Sequence, residues 1–275
     1  MKHKHYKENK KGKDYVVGDL HGCLEDLLLA LKALNFDEKV DRLFCVGDLV
    51  DRGPDSMGCA KLINHDWFHT TQGNHEEMMV ESIIHQDQNV VGVWLSNGGL
   101  WSVHEKPKEI AEYAKKFEDL PLIISVGEGE KRFNVVHAEL LAAKGDDASV
   151  SNKDIDDWTF DDRSEGAMLW GRTTMFYAKD YGVDVEVWAK VHKDLSRTFV
   201  GHTPVREPFR IGQFFYIDTG CVYYHTSSNK SEQNTLTIAC PTDGVLYVWS
   251  PMWRKLTKKA LGDVPPVAGI GATIF

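Results

Sequence analysis

Tyr15-Val16-Val17-Gly18-Asp19-Leu20-His21-Gly22 opens on three apolar residues and breaks at Gly18. It then sets an acid and an imidazole two residues apart, ahead of an amphipathic run from Leu24 to Leu34. A short apolar stretch that ends in glycine and gives way to helical spacing reads as strand, loop, helix. The pattern returns twice. Residues 42–46 lead into Gly47-Asp48-Leu49-Val50-Asp51-Arg52-Gly53 and a helix over 56–63; residues 68–72 lead into Gly73-Asn74-His75-Glu76 and a helix over 75–85. Such alternation predicts βαβ units and a mostly parallel sheet covered by helices, with ligands bound beyond the carboxyl ends of the strands. All three polar clusters fall at that end.

The second half is less regular. Residues 108–117 and 185–193 read as helices, and 122–126, 133–136, 198–201, 214–218, 235–239 and 245–249 as strands. These strands predict a second sheet packed on the first: an α/β chain, built as a two-sheet sandwich flanked by helices. Residues 145–162, rich in Asp and poor in apolar side chains, read as a solvated loop.

A chain of 275 residues that is 42% hydrophobic can bury a sizeable core, and nothing in it demands a second domain. We expect a flexible basic N-terminal tail over residues 1–13 and a single domain over 14–275. The net charge of −9 argues against a protein that coats nucleic acid, since phosphate-backbone affinity comes from Lys and Arg. The tail reads as neither secretory signal nor membrane anchor, and no run reaches the roughly 18 apolar residues of a membrane-spanning helix. The five cysteines (Cys23, Cys45, Cys59, Cys221 and Cys240) contain no C-x-x-C pair and are odd in number, as expected of a reducing, cytoplasmic compartment. Cys45, inside an apolar run, is expected to be buried and inert.

The chemistry lies in the loops. To the three clusters the chain adds Val136-His137-Ala138-Glu139 and Gly201-His202-Thr203-Pro204. One Asp or His after a strand is usually a cap or turn residue; five such clusters in order are a constellation. Asp, His and Asn offer oxygen and imidazole nitrogen without thiolate, which suits divalent Mn, Fe or Zn. A carboxylate is the common side chain able to bridge two cations, so the middle aspartate, Asp48, is the natural shared ligand.

The order D-x-H, G-D-x-x-D-R-G, G-N-H-E with two later histidines resembles the calcineurin-like metallophosphoesterases, in their phosphoprotein phosphatase branch. Trp94-Leu95-Ser96-Asn97-Gly98-Gly99 and the run from Gly73 to Met79 extend that likeness. The resemblance implies that Asp19, His21 and Asp48 hold one metal, and that Asp48 bridges to a second completed by Asn74, His137 and His202. It implies further that Asp51 and His75 pair beside the metals, with His75 protonating the leaving oxygen, and that Arg52 and Arg172 grip the phosphoryl group. The cofactors implied are two divalent ions, Mn foremost, with Fe, Zn, Co or Ni as alternatives. Direct in-line attack by a water shared between the ions needs no phosphoenzyme, so no cysteine is assigned a part. Glu139 departs from the glycine many relatives carry after the His-Ala pair, and is expected to reshape the pocket rim. Asp218 reads as a supporting residue, and the eight tryptophans as core and rim.

The implied activity is hydrolysis of phosphate monoesters, as a phosphoserine/phosphothreonine (or phosphotyrosine) protein phosphatase. The partner implied is a phosphorylated protein or a small phosphomonoester, with no nucleic acid, membrane or regulatory subunit evident. The alternatives are a symmetrical dinucleoside tetraphosphate hydrolase and a non-catalytic metal-binding scaffold; the second fits poorly with a full set of ligands.

Overall fold

The computed structural model describes residues 2–143, 149–176 and 192–265. Strand β1 spans His3–Tyr6, β2 Asp14–Val17, β3 Arg42–Cys45, β4 Phe68–Thr70, β5 Ile123–Val126 and β6 Phe133–Val136. β7 spans Arg197–Val200, β8 Phe209–Ile211, β9 Phe214–Tyr216, β10 Leu236–Cys240, β11 Val245–Ser250 and β12 Lys255–Ala260. They form two six-stranded sheets, one ordered β12-β11-β10-β2-β3-β4 and the other β1-β5-β6-β7-β9-β8. β2, β3 and β4 run parallel and make up one half of the first sheet, while β6, β7 and β9 run parallel in the middle of the second.

Side chains alternate across each strand with a period of two, and that alternation assigns the layers. Val16, Phe44, Ala239 and Leu246 from one sheet meet Ile124, Val126, Phe133, Val135, Phe199 and Phe215 from the other in a single inter-sheet core. Their neighbours Tyr15, Val17, Leu43 and Cys45 face outward to α1 (Leu24–Leu34), α2 (Ser56–Lys61), α3 (Asn74–Ile83), α4 (Gln88–Ser96) and α5 (Pro107–Glu118). Ile123, Val136 and Val200 face α6 (Asn152–Asp157) and α7 (Asp162–Trp170) on the opposite side. The last described helix is α8, Cys221–Thr226. Phe44 has no solvent exposure and packs edge-on against Phe133 at 6.0 Å between ring centroids. Phe44→Ala should therefore cost about 3–5 kcal/mol. Urea unfolding checks it: the midpoint falls at an unchanged slope.

Two expectations are corrected, and a third lies almost wholly outside the described residues. Residues 1–13 are not a free tail, because His3, Lys4, His5 and Tyr6 pair in parallel register with Ile123, Ile124, Ser125 and Val126. His3 Nε2 lies 3.0 Å from Ser125 Oγ, the Tyr6 ring packs edge-on against Phe44, and Lys131 reaches back to Glu8. A polar edge strand needs few apolar residues, so the lack of an apolar run was no sign of disorder. Residues 152–157, expected as loop, form α6: Ser151 caps it, Ile155 is buried beneath it, and Arg132 clasps Asp156 through two bonds of 2.7 and 2.9 Å. The helix expected over 185–193 falls, but for His192 and Lys193, outside the described residues. No helix among the described residues is long and apolar enough to cross a membrane.

Candidate metal centre

Each proposed ligand follows the carboxyl end of a parallel strand. Asp19 and His21 come after β2, Asp48 after β3, Asn74 after β4 (with His75 next to it), His137 after β6 and His202 after β7. The loops turn sharply to bring these side chains inward. His21, Asp48, Asp51, Arg52 and His202 all have positive φ, between 40° and 74°. Non-glycine residues rarely adopt that region, and clusters of them accompany functional sites. Close approach also fixes two glycines: a Cβ on Gly201 would stand 1.9 Å from Asp19 Oδ1, and one on Gly73 2.2 Å from Asp48 Oδ1.

The donors converge. Asp48 Oδ2 lies 3.4 Å from His21 Nε2 and 3.9 Å from His75 Nε2, while its Oδ1 lies 3.4 Å from His137 Nε2. One carboxylate thus turns an oxygen toward each half of the pocket. In the second half, Asn74 Oδ1 lies 3.0 Å from His137 Nε2 and 2.9 Å from His202 Nδ1, and the two ring nitrogens are 3.2 Å apart. Asp19 takes the His202 backbone N–H at 3.0 Å.

Proton positions follow from the partners. His137 Nδ1 donates to the Val46 carbonyl at 3.0 Å and His21 Nδ1 to the Val50 carbonyl at 2.9 Å, so in each neutral ring the Nε2 lone pair points into the pocket. His202 Nε2, buried, has no hydrogen-bond partner. Burial pushes the His21 pKa well below its usual value, lowers that of His137, and carries His202 down to about 2, with His137 as its next cause. Burial would raise the Asp48 carboxyl, but four surrounding imidazoles outweigh it and hold it well below the usual range. Neutral imidazoles, an ionised carboxylate and an amide oxygen crowded together with so few protons between them suit divalent cations. The residues present fit the metals.

Asp19 is pushed well above the carboxylate range by burial, Asp218 and Asp48 in that order, and Asp218 is raised to about 6 by burial first. Asp218 accepts the Gly220 backbone N–H at 2.9 Å and stands close enough for its charge to bear on the candidate ligand Asp19. Glu76 is wholly buried; it accepts the backbone N–H groups of Asp48, Leu49 and Gly73 at 2.8, 2.8 and 2.9 Å, tying two ligand loops together.

Beside the metal ligands, His75 Nδ1 lies 2.7 Å from Asp51 Oδ2. Burial alone would lower the His75 pKa; the Asp48 charge and the Asp51 bond outweigh it and raise it. Asp51 also accepts Trp94 Nε1 at 3.0 Å and Trp101 Nε1 at 2.6 Å. The sequence reading missed these two indoles, though Trp94 opens the stretch that carries the family likeness. Arg52 reaches His21 Nε2 at 2.8 Å. Arg172 donates through Nε to Thr203 Oγ1 at 3.2 Å, next to the candidate ligand His202. Glu139 acts on the pocket wall from within. It is buried and accepts the backbone N–H of Thr173 at 3.0 Å, together with the N–H and hydroxyl of Thr174, so its carboxylate clasps the turn that presents Arg172.

Known proteins resemble this chain in sequence and fold. A family model described as calcineurin-like phosphoesterase matches residues 15–225. Serine/threonine-protein phosphatase 1 of Salmonella typhimurium is 30% identical over 212 residues, covering 76% of this chain and 87% of that protein. The asymmetrical bis(5'-nucleosyl)-tetraphosphatase PrpE of Anoxybacillus flavithermus is 26% identical over 223 residues, covering 76% of this chain and 85% of that protein. A solved serine/threonine phosphatase of Saccharomyces cerevisiae superposes with a TM-score of 0.57 at 18% identity, over 93% of this chain and 82% of that one, which shows the shared fold. The two-sheet sandwich, the loops that gather six metal-type ligands at its strand ends, and a match that runs from β2 to α8 agree: this chain belongs to the calcineurin-like phosphoesterase family, whose members are metal-dependent hydrolases.

Proposed function

We propose that this phosphoesterase hydrolyses phosphate monoesters, with phosphoserine and phosphothreonine in proteins as its substrate class, at a centre of two divalent ions, Mn foremost. The observation that carries the reading is the Asp48 carboxylate, which turns one oxygen toward His21 and the other toward His137. Asp19, His21 and Asp48 would hold one ion, and Asp48, Asn74, His137 and His202 the other. When bound, such a pair acidifies a water and offsets charge on phosphoryl oxygens.

The chain's own residues supply the rest. Arg52 and Arg172 offer planar guanidinium donors to the phosphoryl oxygens, and two fixed cations favour a dianionic monoester over the singly charged internal phosphorus of a polyphosphate. His75, held by Asp51 through Nδ1, presents Nε2 toward the pocket and gives its proton to the departing alkoxide. Water attacks opposite that oxygen, and phosphate leaves without a covalent enzyme intermediate. Five free, buried cysteines fit a reducing, cytoplasmic setting.

Relatives named as asymmetrical bis(5'-nucleosyl)-tetraphosphatases, not the symmetrical hydrolase expected from the sequence, support a second reading. The two are separated by measuring kcat/KM for a phosphothreonine peptide and for diadenosine tetraphosphate at one Mn concentration and ionic strength. The peptide should be preferred; a reversed ratio assigns the site to the dinucleotide. Glu139→Gln gives a narrower expectation. It exchanges a charged acceptor of the 172–174 turn for a neutral one, so it should cost about 1–3 kcal/mol of stability and weaken inhibition by inorganic phosphate in parallel with Arg172→Ala. Unchanged phosphate affinity in Glu139→Gln, alongside a loss in Arg172→Ala, would show that the clasp does not position the arginine.

A further inference from the structure

A second group of ligating side chains lies behind the catalytic loops. Cys23 precedes α1 and Asp26 follows it one turn later; on α8, Cys221 and His225 are likewise one turn apart. The spacings C-x2-D and C-x3-H set each pair on one face of its helix. The two faces meet, with one ligand atom from each of Cys23, Asp26, Cys221 and His225 within 4.8 Å of all the others. Cys23, Asp26 and Cys221 are buried, and the His225 side chain is 27% exposed. Asp26 is already oriented, since Trp249 Nε1 donates to its Oδ1 at 2.8 Å and its Oδ2 lies 2.6 Å from His225 Nε2.

We propose that Cys23, Asp26, Cys221 and His225 form a structural zinc site, separate from the catalytic pair of metals. Two sulfurs, an imidazole and a carboxylate are a tetrahedral zinc set, and four protein ligands leave no open position for substrate. The catalytic centre contains no sulfur ligand, so the two sites select by softness: hard Mn²⁺ suits the oxygen and nitrogen donors, zinc the thiolates. Binding takes one proton from each thiol and replaces the Asp26–His225 hydrogen bond with two coordination bonds. Trp249 fixes the carboxylate as an outer partner does at zinc sites, and partly exposed His225 gives the ion its way in.

The consequence is mechanical. Cys23 lies two residues after His21, and Cys221 three after Asp218, whose charge bears on Asp19. Zinc would therefore tie together the chain segments that leave two walls of the catalytic pocket, whatever phosphoester that pocket takes.

The test uses the full chain, stripped of metal and reduced, titrated with Co²⁺ alone while the near-ultraviolet spectrum is recorded. Only sulfur-bound cobalt gives a thiolate-to-metal charge-transfer band, so the oxygen and nitrogen centre is silent in this readout. The wild type should develop a saturable band that Zn²⁺ abolishes. Cys23→Ser and Cys221→Ser should lose it, Cys240→Ser should keep it, and His225→Ala should weaken the cobalt affinity by at least about tenfold. Absence of the band in folded, reduced wild type overturns the proposal without recourse to any variant, and so does its persistence in both serine variants. A thiol count on the denatured, unreduced protein two short of the five free cysteines, restored by loss of either Cys23 or Cys221, would overturn it in favour of a disulfide.

Discussion

Asp48→Asn should abolish turnover on every phosphoester. The substitution is nearly isosteric, so the fold should survive it; what disappears is the charge shared by both halves of the pocket. In the wild type, burial works against the ionised carboxylate and four imidazoles hold it ionised regardless. An amide offers one carbonyl oxygen and no charge, leaving each ion a ligand short or neutralised by less. Metal activation of water and offset of phosphoryl charge are together worth several kcal/mol, and each 1.36 kcal/mol is tenfold, so the loss should be on the order of 10³–10⁵ in kcat/KM. Steady-state rates at saturating Mn, with circular dichroism to show that the variant is folded, decide it. Activity within tenfold of wild type would mean that Asp48 does not bridge.

His75→Asn carries the second large effect, and its signature is selectivity by leaving group. General acid catalysis contributes about 10²–10⁴-fold where the departing oxygen needs a proton. Serine and threonine alkoxides need one, whereas nitrophenolate departs with little help. The variant should therefore lose about 10²–10⁴-fold on a phosphothreonine peptide and far less on nitrophenyl phosphate. Equal losses on both would assign the His75 side chain to supporting the Asp48 carboxylate, whose Oδ2 lies 3.9 Å from its Nε2, and not to proton transfer.

What the sequence made legible follows from periodicity and local chemistry. β2, β3 and β4 each break at a glycine just before a ligand loop, so strand, loop and helix could be read in order, and the parallel half-sheet with them. The donor types at Asp19, His21, Asp48, Asn74, His137 and His202 pointed to divalent metals because oxygen and imidazole without sulfur suit few other cofactors. The features that escaped depend on partners distant in the chain. β1 is polar and short, and only its pairing with β5 gives it order. Trp94 and Trp101 reach Asp51 across more than forty residues of sequence, and nothing local marks an indole N–H as a carboxylate partner. Glu139 was legible only as a departure from the family's glycine, because its partners Thr173 and Thr174 lie far along the chain. Cys23 and Cys221 are nearly two hundred residues apart, and their spacing to Asp26 and His225 becomes a pattern only when α1 and α8 are seen to meet.

The central claim is that one carboxylate holds two ions together, and counting them tests it most directly. Wild-type protein stripped of metal, reconstituted with Mn²⁺ and freed of excess should approach two Mn per chain by elemental analysis, with activity rising as the second is bound. Mn²⁺ is too hard an ion to fill the sulfur-containing site, so that site should not inflate the count. A stable stoichiometry of one Mn per chain at full activity would contradict the account.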